Sequence, residues 1–331
     1  MRPRRKALSN FIATIILMAI TVAGGLFVYG IVSAAITSAV GTGPSVQFTS
    51  AGVSATGSMA SFSVSAQNTG TAPAATGVSL SILPPLYDAT APYTPCDGQH
   101  GKGVLMYTVV SLPANTYTFT FGADDVSEVF INGPGTNGWK GVYGQFFPPG
   151  SCCQITSQSV TLSSGVWQIA FFSLDDCWEG WADFSANLPV STLTFMLVWY
   201  YYDAPAGINL GSLYSAVLSN PLDLTGIGAE VAGAQTVQTS GSFNINPNWT
   251  TANNGQYYIS GLPPPLQNNP ALPLGLLNPG QSATYTWNLA VGWGSMPATI
   301  PVGQSFTSIA EAYGINGQTS LDVKGGTVAP F

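Results

Sequence analysis

Charge is the scarcest property of this sequence. Seven Lys or Arg and 14 Asp or Glu make up 6% of 331 residues, where an ordinary globular chain carries about 25%. Four of the basic residues, Arg2, Arg4, Arg5 and Lys6, crowd the start of the chain. No basic stripe remains to follow a phosphate backbone, which excludes a nucleic-acid binder. Histidine is almost missing. His100 is the only one, which excludes multi-histidine metal centres and leaves a triad nothing but a Gly/Gln/Lys loop residue to draw on. No spacing of carboxylates favours a glycosidase pair, so the chain is not expected to be an enzyme. What is plentiful is Gly (38) and Pro (24), which suit strands, turns and long loops. The hydrophobic fraction of 46% is ordinary and sufficient for a core.

From Leu8 to Val40 there is no charged residue. As one helix this stretch would span roughly 50 Å, and about 20 apolar residues cross a bilayer. The basic residues before it place the start of the chain in the cytoplasm. A secretory signal peptide has a shorter apolar region, about 7–15 residues. The pattern therefore predicts one long N-terminal hydrophobic α-helix, a transmembrane helix over residues 8–43.

The remainder reads as β structure. Polar and apolar residues alternate in Ser61–Ala66, Val78–Ile82, Tyr117–Phe121 and Tyr285–Leu289, the period of half-buried strands. Asn68-Thr69-Gly70, Asn278-Pro279-Gly280 and Asn316-Gly317 are turn signals. No segment after Val40 shows a helical period. The fold class expected is mainly β, with sandwiches rather than helical layers.

The basic residues, then Ala7-Leu8-Ser9, the apolar run Phe11–Ile20 and Gly24-Gly25-Leu26-Phe27 resemble archaeal type IV pilins. The resemblance implies a leader of residues 1–7, cut by a prepilin peptidase between Ala7 and Leu8. It further implies assembly with copies of itself or other pilins through residues 8–40, membrane insertion before assembly, and an extracellular filament at the cell surface. Residues 44–82 and 223–331 resemble two halves of the immunoglobulin-like domains common on archaeal surface proteins, with the Asn-Thr-Gly turn and a Pro-Gly-Gln strand start. An insertion, 83–222, separates them. A membrane-anchored surface or surface-layer-associated binding protein that does not polymerise is the alternative.

All four cysteines, Cys96, Cys152, Cys153 and Cys177, lie in the insertion, with ten of the 14 acids. An even count on an exported chain predicts two disulfides. Cys152 and Cys153 are vicinal and are not expected to pair with each other. Cys96 and Cys177 would each take one of them, in either combination. Asn248-Trp249-Thr250 is a glycosylation sequon.

The run Tyr117–Phe121, Gly122-Ala123-Asp124-Asp125, Val126–Gly133 and the later Val160–Ile169 resemble the lectin-like module of anthrax protective antigen and yeast flocculins. That resemblance implies an inserted second β-sandwich that binds glycans. Asp124 and Asp125 would be Ca²⁺ ligands, supplemented by Asp175 and Asp176. Asn132, Trp178 and Trp181 would contact sugar. The loop Leu174–Trp181 has no Asn where the flocculins place one. Below about pH 4 carboxylates are protonated, and a calcium site would weaken accordingly.

Overall fold

The computed structural model describes residues 43–82, 100–147, 154–175, 182–190, 192–203, 209–240, 243–245, 270–291, 299–315 and 318–331. Strands β1 (Val46–Thr56), β2 (Met59–Asn68) and β3 (Ala74–Ile82) come first. They are followed by β4 (His100–Leu112), β5 (Asn115–Ala123), β6 (Val126–Asn132) and the short β7 (Lys140–Gly141). Next are β8 (Thr156–Leu162), β9 (Gly165–Asp175), β10 (Ala182–Ala186) and β11 (Thr192–Asp203). Helix α1 (Leu210–Ser219) and a 3₁₀ turn (Leu224–Ile227) interrupt the series. It resumes with β12 (Ala229–Ser240), β13 (Phe243–Ile245), β14 (Leu272–Leu277) and β15 (Ser282–Leu289). It closes with β16 (Ser305–Gly314), β17 (Thr319–Thr327) and β18 (Ala329–Pro330).

Ten strands form one sheet in the order β18-β1-β2-β15-β12-β11-β4-β9-β6-β7. Two four-stranded sheets, β13-β10-β5-β8 and β14-β3-β16-β17, accompany it. The ten-stranded sheet joins what the sequence presents as head and insertion. Long β12 pairs antiparallel with β11 from Thr192↔Ser240 to Tyr202↔Ala229, and parallel with β15 at Glu230↔Asn288 and Val231↔Leu289.

This sheet separates two cores. Successive strand residues point to opposite faces. In β11, Met196, Val198, Tyr200 and Tyr202 enter the first core, while Phe195, Leu197, Trp199 and Tyr201 enter the second. β4 divides likewise, with Leu105 and Tyr107 against Val104 and Met106, and β9 with Ala170 and Phe172 against Ile169 and Phe171. Both faces of these strands are covered, which is why Phe195–Tyr202 reads as an unbroken apolar run and not as an alternation. The second core is closed by Phe119 and Phe121 of β5 and Phe184 of β10, with Phe171 and Phe184 stacked at 5.2 Å.

Two turns legible in the sequence meet each other. Asn68 is fully buried; its Nδ2 donates to Ala72 O (2.8 Å) and Leu277 O (2.9 Å), and its Oδ1 accepts from Gly70 N (2.9 Å). Its carbonyl accepts from Gly280 N at 2.8 Å, and its own N–H donates to Gln281 O at 3.0 Å. The Asn-Thr-Gly and Pro-Gly-Gln turns thus tie β2 to the start of β15. Gly280 sits at φ +78°, a conformation costly for other residues.

Four expectations need correction. The long hydrophobic helix is not among the described elements: segment 8–42 lies outside the described residues, and no described helix is long and apolar enough to cross a membrane. The α-helix that is described, α1, is a ten-residue piece in a stretch expected to hold no helix. It buries only Leu213 and Val217, one turn apart, and is capped by Asn209, whose Oδ1 accepts from Gly211 N at 2.7 Å. Two separate sandwiches are replaced by two cores sharing a middle sheet, because β11 and β12 zip together over most of their length. No disulfide occurs among the described residues; all four cysteines lie outside them. Among the described residues, large aromatic side chains and continuous strand pairing hold the insertion.

Candidate functional site

The paired aspartates occupy the bend between β5 and β6. These strands belong to different sheets, so the bend arches over the end of the second core. Asp124 and Asp125 are both half-buried. Register brings two more acids to this end. Asp175 terminates β9, one step beyond the Val126↔Leu174 pair, and Asp183 in β10 pairs with Gly122.

The four carboxyls are not equivalent. Asp175 is 3% exposed and faces Lys102, its register partner on β4, with Nζ and Oδ2 3.8 Å apart. An ammonium beside a buried carboxylate offsets part of its desolvation cost. Asp183 has no such neighbour among the described residues: its Oδ1 is buried without a hydrogen bond from any described group, and burial pushes its carboxyl above the usual range. Calcium takes six to eight oxygens. Among the described residues no three Asp, Glu, His or Cys side chains gather closely enough to hold a metal. The described carboxylates therefore do not amount to a calcium cage.

Asn132 stands elsewhere. It ends β6, about 20 Å from the aspartate bend at roughly 3.3 Å per residue. Its Oδ1 accepts from Thr136 Oγ1 at 3.1 Å, and Thr136 Oγ1 accepts from Gly133 N at 2.9 Å. The residue closes a tight turn and does not join the acids. Asp176, Trp178, Trp181, Asn248, Ala7, Leu8 and the four cysteines lie outside the described residues.

One titratable group escaped the sequence reading. Glu128 lies in the middle of β6 and is fully buried. Its Oε1 accepts from Val129 N (2.8 Å) and Tyr143 N (3.0 Å), and its Oε2 from Gly144 N (2.9 Å). These bonds anchor the segment after β7 to β6. Gly141 lacks the Cβ that would strike both Glu128 Oε2 and the Tyr214 hydroxyl of α1. Burial pushes the Glu128 carboxyl up to about 7, although the backbone N–H groups of Tyr143, Val129, Gly144 and Gln145 pull it down. A signal was present: Glu128 is the one charge inside the otherwise uncharged run Val126–Pro134.

No family model matches this chain, and no curated protein matches it either. Among solved structures, an α-L-rhamnosidase from Streptomyces avermitilis overlaps 85% of this chain and 40% of its own, at 10% identity and a TM-score of 0.19. A GH2 β-galacturonidase from Eisenbergiella tayi overlaps 77% of this chain and 42% of its own, at 8% identity and a TM-score of 0.17. The chain spans less than half the length of these enzymes. Likenesses at these scores carry no inference about fold or activity.

Proposed function

We propose that this chain is a pilin-like subunit of an extracellular filament and that its β body is a glycan-binding, adhesive head. The observation that supports the adhesive part is the gathering of Asp124, Asp125 and Asp183 at one end of the second core. Carboxylate oxygens are strong acceptors for sugar hydroxyls, and the buried Oδ1 of Asp183 has no described donor of its own. The filament part rests on the prepilin-type pattern around Ala7 and Leu8. The charge-poor surface fits an exported body. Rows of hydroxyls replace ion pairs on the outer face of β5 and β8, where Thr116–Thr161, Thr118–Ser159 and Thr120–Ser157 lie 3.0, 2.9 and 2.9 Å apart.

Two measurements test this. Mass spectrometry of the native surface fraction should find a mature N-terminus at Leu8; a start at Met1 removes the filament reading and leaves a displayed binding protein. A glycan panel should bind the full chain and lose at least one ligand class with Asp124→Ala/Asp125→Ala. Equal binding by both proteins would sink the site. Repeating the panel with a chelator separates the two chemistries. Loss of binding assigns the carboxylates to a bridging ion, and retention assigns them to the sugar directly.

A further inference from the structure

At the opposite end of β6 from the aspartates, the edge of the ten-stranded sheet carries two concavities, and one residue, Trp139, lines both. The larger, about 620 Å³, lies between β14, β15 and the 3₁₀ turn. The smaller, about 420 Å³, lies beside the turn Pro134–Gly138 and reaches Trp167. Gln168 lines the first and Trp167 the second. Neighbours on a strand face opposite sides of the sheet, so the two hollows wrap around its edge with half-buried Trp139 between them.

The larger hollow holds hydrogen-bonding atoms that are oriented but not used up. Gln168 Oε1 accepts from Tyr107 Oη at 2.9 Å and from Leu276 N at 3.3 Å. The second bond exists because a bulge between Pro273 and Gly275 shifts the register of β14. With Oε1 fixed on both donors, the amide Nε2 is presented with no described acceptor. Tyr285 Oη accepts from Asn220 Nδ2 at 3.0 Å, so its own proton is left to give. Asp223 Oδ1 takes Thr225 N, Thr225 Oγ1 and Gly226 N, while its Oδ2 meets no described donor. Two donors and one acceptor thus surround a hollow that has an indole at its rim. Among the described residues, Asp223 and Lys140 are the only charged side chains lining either hollow.

We propose that this cleft is a second carbohydrate site, one that takes a neutral oligosaccharide with successive rings on either side of Trp139. Indole stacks on the apolar face of a pyranose, and fixed donors and acceptors meet its hydroxyls. The scarcity of charge selects against uronic acids and phosphorylated glycans. The inference deepens the adhesive reading but does not need the aspartate end.

The test is titration calorimetry of the full-length chain with neutral di- and hexasaccharides of glucose, galactose, mannose and N-acetylglucosamine. At least one hexasaccharide should bind, and more tightly than its disaccharide. Trp139→Ala should weaken it by about tenfold or more. Tyr285→Phe, which removes only a hydroxyl, should weaken it by about threefold to tenfold. Thr118→Val, on the outer face of β5 and away from both hollows, should leave it unchanged, with circular dichroism confirming that each variant is folded. If Trp139→Ala and Tyr285→Phe bind as the wild type does while Asp124→Ala/Asp125→Ala loses binding, the cleft is overturned and the aspartate site stands. If the wild type binds no neutral hexasaccharide, the cleft is overturned whatever the acidic end does.

Discussion

The two cores of this β body each enclose one carboxylate, and they neutralise it differently. On the first-core side Glu128 shares the face of Val126 and Phe130 and is met by backbone N–H groups. On the second-core side Asp175 shares the face of Phe171 and is met by the ammonium of Lys102. The first solution leaves the charge to be removed by a proton, so the Glu128 carboxyl rises to about 7. The second uses one of the three basic residues that lie outside the N-terminal cluster. Burial alone therefore does not decide how an acid is accommodated. The presence or absence of a counter-ion does, and in a chain with so few cations that choice is rarely open.

The comparison breaks most sharply in the aromatic core. Phe184 stacks on Phe171 and meets Phe195 edge-on at 6.3 Å. Phe184→Ala should cost about 3–5 kcal/mol by urea denaturation; a loss under about 1 kcal/mol would mean that the second core is not closed by β10. Next comes the ion pair. Lys102→Met removes the ammonium and should destabilise by about 3 kcal/mol or somewhat more, with Lys102→Met/Asp175→Leu recovering most of it. If the double variant is as unstable as the single one, the pair is held for packing and not for charge.

Glu128 should respond to pH where Asp175's ion pair is the alternative solution. Its folded-state value of about 7 exceeds its ordinary 4.5, so the folded protein binds the proton more tightly. This stabilisation is complete below pH 4.5 and disappears as pH rises through 7. Asp183, also raised by burial, acts in the same direction. Thermal melts should therefore rise by several degrees on acidification from neutral pH, and Glu128→Gln should flatten the slope. A melting temperature that falls over this window would contradict the protonated-acid account. The smallest effect belongs to the outer hydroxyl rows. Thr118→Val loses one exposed contact to Ser159 and should change stability by no more than about 0.5 kcal/mol. A larger loss would show that the rows act as a network.

Much of the strand content was legible. Tyr117–Phe121 and Tyr285–Leu289 alternate, and both fall within strands, β5 and β15. The Asn68 and Gly280 turns were also visible, because few residue types suit such geometry. Helix α1 was not, since ten residues with one small buried face give too weak a period. The middle strands resisted for the opposite reason: covered on both sides, they have no alternation to read. The aspartate bend was visible as a motif, but its neighbour Asp183 was not. Only pairing between β5 and β10 carries that residue to the bend, 58 positions along the chain.

What the sequence determined by itself is local: strands where polarity alternates, turns where Asn, Gly and Pro cluster, and a surface with almost no charge. The first two depend on neighbours a few positions away, and the third follows from composition alone. What only tertiary structure decided is which distant residues share a space. The β11–β12 pairing made one sheet serve two cores. Burial selected Glu128 for a proton and Asp175 for a lysine. A bulge in β14 turned Leu276 toward Gln168 and so aimed an amide into the Trp139 cleft. Each outcome depends on contacts between segments far apart in the chain, whose energies no local pattern encodes.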